Sequence, residues 1–417
     1  MLSLSYLLLL GCALLQLASA SEPLPPSKDP FYTAPPNYEL AAPGTILRIR
    51  TAPGNLTRVV TNTSSAYNIL FRTTDSQYKP AWAVTTLFVP LSFPQNTSNN
   101  GSQPGDALLS FQAPYDSANV DESPSYTLYN YVYPDIPAAL SRGWYVSVPD
   151  FEGPLASFGA GVISGHATLD SVRAVLSSGF GLSTNARYAL SGYSGGALAS
   201  EWAAELQVQY APELKFGGAA LGGLTPNITN VLLSIEGKLQ AGLIPETVIG
   251  LATQYPAVYQ FIESKLKPMG PFYNETTFLA VRNLTFDQAL GELAFKNITD
   301  FFVDGIADLL TPLVQKASNR DGQMGYHGTP QFPLFAYKAI GDEVSPIADT
   351  DALVARYCGI GANILYERNT VGTHETEEVN GRPRVIAFLE AVFNGTYDNS
   401  LTTGCTVQNI TYTASSS

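Results

Sequence analysis

The sequence predicts an α/β fold, a mostly parallel doubly wound sheet with a helical cap inserted into it, and three observations lead there. Short apolar, β-branched runs alternate with helical periods up to residue 226 and again from 320 onward, the rhythm of strand and crossover helix. Between them, residues 227–319 carry helical periods with few convincing strands, as in NVLLSIEGKLQAGLI and TFDQALGELAF. The third observation is ARYALSGYSGGALASEWAAEL, Ala186 to Leu206. Tyr188 to Leu190 supply a short strand, Gly192-Tyr193-Ser194-Gly195-Gly196 a sharp turn, and Ala197 onward a strong helix former, the context of a nucleophile elbow. Gly192 and Gly196 answer the steric need of such a turn. Ser194 stands at a helix N-terminus, where negative charge is favoured.

In chain order, residues 1–20 form an uncharged apolar run ending Ala18-Ser19-Ala20, which reads as a secretory signal peptide although its start lacks Lys or Arg. Ser21 to Tyr38, rich in proline, reads as an irregular arm. Strands follow at Ile46 to Arg50, Tyr67 to Thr74 and Ala81 to Val89, an antiparallel start to the sheet. After a polar loop at 94–105, strands Ala107 to Gln112 and Trp144 to Pro149 end in the polar clusters QAPYDS, with Asp116, and DFEGP, with Asp150 and Glu152. A helix is expected from Ala167 to Ser178 and a strand from Phe216 to Leu221, which closes a first core segment, 21–226. Beyond the cap, Phe332 to Ile340 and Asn363 to Glu367 read as strands, and Ile347 to Tyr357 and Arg382 to Phe393 as helices, in a second core segment, 320–417.

Composition narrows the partners. Twenty-two basic against 35 acidic residues give a net charge of −13, which argues against nucleic acid and against a basic face on anionic membranes. After the leader, no stretch is long and apolar enough to span a bilayer. Asn-x-Ser/Thr sequons at Asn55, Asn62, Asn96, Asn100, Asn227, Asn274, Asn283, Asn297, Asn394 and Asn409 suit a secreted, extracellular glycoprotein. Cys12 would leave with the leader, so Cys358 and Cys405 remain as an even pair in an oxidising compartment and are expected to form a disulfide.

A serine nucleophile needs a base and an acid, and in this type of fold they follow it in chain order as acid, then base. Of three histidines, His166 precedes Ser194 and His327 lies in a loop before the last strand that could carry the acid. His374, in the polar stretch VGTHETEEVNG between the last strand and last helix, is where the base belongs. Asp342 stands at the end of FPLFAYKAI and is the expected acid, with Glu343 as its nearest rival and Asp349 and Asp351 assigned to the following helix.

These residues, together with QAPYDS around Asp116, VPDFEGP after Trp144, GHATLDSVRA, MGYHGTP, GDE and THETE, resemble the fungal secretory lipases of the α/β-hydrolase superfamily, through most of the chain after residue 20. The resemblance implies Ser194, Asp342 and His374 as triad, an oxyanion hole from Gly195 and Asp116, a helical cap and a carboxyl-terminal disulfide. For Asp116, either the backbone N–H is the donor or the carboxyl is protonated or turned away. The activity implied is hydrolysis of triacylglycerols through an acyl-enzyme, without metal or organic cofactor, at a transient lipid–water interface. Two other readings compete: a short-chain esterase or deacetylase acting on a fungal secondary metabolite, and a non-catalytic binding module on the same fold.

Overall fold

The computed structural model describes residues 22–92, 105–397 and 404–414, so the leader and the sequons at Asn96 and Asn100 lie outside the described residues. The strands are β1 (Ile46–Thr51), β2 (Thr63–Thr74), β3 (Pro80–Pro90), β4 (Ala107–Gln112), β5 (Tyr145–Pro149), β6 (Arg187–Tyr193), β7 (Gly218–Gly222), β8 (Leu334–Ala339), β9 (Ile364–Asn369) and β10 (Cys405–Ile410). Among the described residues they form one sheet in the order β1-β2-β3-β5-β4-β6-β7-β8-β9-β10. β1, β2, β3 and β5 pair antiparallel, and every later pairing is parallel. This is the mixed, mostly parallel sheet the strand pattern predicts, and its order reverses between β5, β4 and β6.

The helices that matter for the site are α1 (Gly161–Leu176), α2 (Gly195–Tyr210), α3 (Ile228–Ile235), α4 (Leu243–Ala252), α5 (Pro256–Lys265), α6 (Phe286–Leu293), α7 (Pro312–Asp321), α8 (Ile347–Gly359) and α9 (His374–Asn394). α1, α2 and α8 seal one face of the sheet through Val172, Trp202 and Tyr357. α9 seals the other through Val385, Phe388 and Val392, against Phe111, Val146 and Phe335. The segment carrying α3 to α7 builds a third apolar cluster of its own, around Ile235, Ile249, Phe278, Phe301 and Phe302.

Three elements differ from the sequence reading. α1 starts at Gly161 rather than Ala167, because Gly161 and Gly165 weigh against a helix interior in isolation but here let α2 approach. A Cβ at Gly165 would lie 2.8 Å from the backbone carbon of Trp202, and one at Gly161 2.0 Å from its ring. α9 starts at His374 rather than Arg382 and carries Pro383 in its interior. Thr373 caps it in a reciprocal pair with Thr376, and Glu375 and Glu377 favour its N-terminal dipole. The buried stripe at Val385, Phe388, Leu389 and Val392 outweighs the amide that proline removes. β10 was not expected as a strand; it pairs parallel with β9, and the expected Cys358–Cys405 disulfide ties it to α8.

Gly165→Ala should lower stability by roughly 1 to 3 kcal/mol, read as a lower urea midpoint, because the added methyl meets backbone. The sign discriminates, since the same change in an uncrowded helix stabilises by about 0.5 to 1 kcal/mol. Removing the disulfide as Cys358→Ala with Cys405→Ala should cost about 2 to 4 kcal/mol and expose the chain end to proteolysis.

Candidate active site

β6 delivers Ser194 at its carboxyl end, and α2 begins at the next residue. The serine takes φ 51° and ψ −119°, a conformation side-chain-bearing residues rarely hold, and its N–H is fixed by the Gly222 carbonyl at 2.9 Å. The turn's glycines are there for space. A Cβ at Gly196 would sit 1.9 Å from the Gln112 carbonyl oxygen of β4, and one at Gly192 2.3 Å from the Gly196 carbon. Ser194 is half-exposed while its neighbours are buried.

The structure brings Ser194, His374 and Asp342 together. His374 Nε2 lies 2.8 Å from Ser194 Oγ, and Nδ1 lies 2.7 Å from Asp342 Oδ2. Asp342 Oδ1 accepts the N–H groups of Val344 and Ser345 at 3.0 and 2.8 Å, so the carboxylate is held at both oxygens. Against burial, which pushes the Asp342 carboxyl up, the His374 ring and the Lys338 ammonium pull it down to about 2. His374 opens α9, where its N–H donates to Glu343 Oε2 at 3.0 Å and its carbonyl accepts the Tyr193 hydroxyl.

The rival residues are placed elsewhere. His166 lies within α1, buried, with its ring stacked on Tyr210 at 3.8 Å and Nδ1 3.2 Å from the Thr74 carbonyl. Burial pushes it down to about 3. His327 packs on Trp202 and pairs with Glu205 at 3.2 Å. Asp349 accepts from Asn230 at 2.9 Å, and Asp351 pairs with Arg368 at 3.1 Å. Glu343 sits beside the histidine on its backbone side only.

Asp116 lies in the loop after β4 at φ 44° and rests on Gly195, where a Cβ would come 1.9 Å from Asp116 Oδ1. That buried oxygen has no hydrogen-bond partner. Burial pushes the Asp116 carboxyl up to about 7, and does the same for Asp150, to about 7, and Glu246, to about 8. Glu152, fully buried beside Asp116 and Glu246, is driven well above its ordinary range, first by burial and then by the Asp116 charge. Glu246, on α4, accepts the Ala118 N–H at 2.5 Å and so ties the helical segment to the Asp116 loop.

Sequence reasoning missed Lys338, whose Nζ donates to Asp342 Oδ2 at 2.7 Å. The signal was present: a lysine inside the apolar strand FPLFAYKAI must find a partner, and Asp342 follows four residues on. It also missed Glu246, which no local pattern distinguishes from other helix carboxylates. Of the eight sequon asparagines described, Asn55, Asn62, Asn283, Asn297, Asn394 and Asn409 are exposed, whereas Asn227 and Asn274 are half-buried and cap helices. An apolar groove lies among α3, α4, α5 and α7, lined by Leu232, Val248, Leu251, Val258, Ile262 and Val314.

Comparison with known proteins identifies the family. The secretory lipase family model matches residues 129–400. The chain is 53% identical over 402 residues to a trichothecene C-3 esterase of Fusarium sporotrichioides, covering 94% of this chain and 90% of the relative. It is 35% identical to lipase A of Arthroderma benhamiae, covering 89% and 81%. The crystal structure of Candida antarctica lipase A superposes with a TM-score of 0.82 at 28% identity, covering 94% and 91%. The chain therefore belongs to the secretory lipase family and is a carboxylic ester hydrolase of the α/β-hydrolase fold.

Proposed function

We propose that Ser194, His374 and Asp342 are the catalytic triad and that the substrate is an acyl ester of a trichothecene-type alcohol. The hydrogen-bonded line from Ser194 Oγ through both nitrogens of His374 to Asp342, at 2.8 and 2.7 Å, carries the chemistry. Ser194 Oγ attacks the ester carbonyl as its proton passes to Nε2, and the Asp342 carboxylate stabilises the imidazolium without taking that proton. The oxyanion forms beside the Gly195 N–H at the positive end of α2. Its collapse expels the alcohol, which leaves with the proton from Nε2. Water, deprotonated by the same nitrogen, then releases the acid from the acyl-serine.

Asp116 completes the oxyanion hole in this reading. Below about pH 7 its carboxyl is neutral and can face a developing negative charge; above that it ionises and repels it. The 53% identity with the trichothecene C-3 esterase supports this substrate. A second reading, hydrolysis of triacylglycerols at a lipid–water interface, is favoured by the groove among α3, α4, α5 and α7, whose hydrocarbon lining suits an acyl chain. In either case we infer that residues 1–20 direct secretion and that 227–319 is a cap inserted between core segments 21–226 and 320–417. We assign glycans first to the exposed sequons, and the −13 charge turns the protein away from nucleic acid.

Hydrolysis across acetyl to long-chain esters, of a trichothecene-type alcohol and of glycerol, decides between the substrates. Rates concentrated on the acetylated alcohol support the first reading, and rates on dispersed long-chain triacylglycerol the second. Ser194→Ala should lower kcat by roughly 10⁴-fold or more on whichever ester is cleaved. Asp116→Asn keeps a neutral side chain that tolerates positive φ, so it should lift the alkaline decline of kcat/KM near pH 7, whereas Asp116→Ala should lose roughly 10- to 100-fold below about pH 7, where the wild-type carboxyl is neutral, and less above it. An Asn profile that overlays the wild type would rule the carboxyl out of the oxyanion site.

A further inference from the structure

We propose that Lys338 is a positioning residue of the triad whose positive charge keeps hydrolysis running at lower pH than Ser194, His374 and Asp342 would sustain without it. The inference rests on the triad reading above. Lys338 lies on β8, a strand buried along its whole length, and its own side chain is fully buried. Nζ donates to Asp342 Oδ2 at 2.7 Å and to the Leu224 carbonyl at 2.9 Å. His374 Nδ1 lies 2.7 Å from that same Oδ2, so ammonium and ring share one carboxylate oxygen and stand at most twice 2.7 Å apart.

An ion in an apolar strand is a costly way to fill space, since methionine would occupy the position without desolvation. The charge therefore calls for a role beyond packing. The base works only while its ring is neutral, and a fixed cation on the shared oxygen opposes formation of the imidazolium in two ways. It repels the second positive charge directly, and it neutralises part of the carboxylate that would hold that charge. Burial lowers the Lys338 proton affinity and Asp342 draws it back, while Asp342 itself stays ionised down to about 2.

The other groups around the triad are mostly acidic and pull the opposite way. Glu343 accepts the His374 N–H, Glu375, Glu377 and Glu378 occupy the first turns of α9, and Asp349 of α8 acts on Lys338. Glu377 is offset by Arg384 at 2.7 Å, and Arg382 lies 3.7 Å from Glu378. Tyr193 donates to the His374 carbonyl and, with Tyr337, stays neutral; Asp116 stands at Gly195, on the oxyanion side of Ser194. Among the described residues, Lys338 is the cation hydrogen-bonded to the triad.

The test is the kcat/KM profile, from about pH 4 to about pH 9, of wild type, Lys338→Met and Lys338→Gln, with Ser194→Ala as the blank. Both variants remove the charge, and glutamine keeps a donor. The acid limb should move to higher pH in both, by roughly 1 to 2 pH units. Limb position is the readout, because plateau height also reflects the imidazolium formed in the transition state. A limb that stays put in both variants makes Lys338 a structural filler. A limb that moves in methionine but not in glutamine assigns the effect to hydrogen bonding, and either result overturns the proposal. Hydrolysis that survives Ser194→Ala overturns the triad reading and this inference together. Should neither variant fold, the ¹⁵N shift of Lys338 Nζ in the wild-type protein decides: an ammonium shift throughout the active pH range supports the proposal, and an amine shift overturns it.

Discussion

Backbone contact between the turn at Ser194 and the end of the neighbouring strand is the constraint from which the site follows. β4 and β6 run parallel and in register, Gln112 opposite Gly192, and the helix that starts at Gly195 is pressed onto the β4 end. Nothing larger than hydrogen fits at Gly196 against the Gln112 backbone, and a side chain at Gly195 would have to displace the Asp116 carboxyl. The same closeness that forbids side chains puts the Asp116 loop, the Gly195 N–H and the serine hydroxyl around one point. Gly165, by admitting Trp202, keeps α2 where that contact needs it.

Around this point buried carboxyl groups divide by whether a cation meets them, for Asp150, held at both oxygens by Ser125, is still pushed up to about 7. Asp342 is buried and ionised, because two N–H groups, a histidine ring and an ammonium meet its oxygens. Asp116, Glu152 and Glu246 are as deeply buried but leave oxygens without partners, and desolvation drives them toward the neutral form. The result is an anionic carboxylate on the far side of His374 and carboxyls driven toward the neutral form on the Asp116 side of Ser194.

The sheet, its antiparallel beginning and the three residues of the hydrogen-bonded line were legible in the sequence because each depends on local pattern: alternation, glycine at a turn, a carboxylate at a strand end. What stayed hidden depends on contacts across the chain. Gly161 and Gly165 look like helix breakers until Trp202 is placed against them. Pro383 looks like a helix start until the apolar stripe behind it is seen to continue the helix from Thr373. β10 has only half-buried and exposed positions, so its pairing with β9 carries no burial signal, although Cys405 marked where it is tied. Lys338 was visible as an anomaly, an ion in an apolar strand, but its partner oxygen could be chosen only in three dimensions.

The helical segment around Phe278, Phe301 and Phe302 keeps its own apolar cluster, and one of its ties to the Asp116 loop is the Glu246 carboxyl on the Ala118 amide. The groove lining includes none of Ser194, His374, Asp342 or Asp116, so its hydrocarbon side chains can be exchanged without touching the hydrogen-bonded line. Side chains can thus be exchanged in one module of the chain with the other left as it is, and the relatives of this chain include proteins named as a lipase and as a trichothecene C-3 esterase.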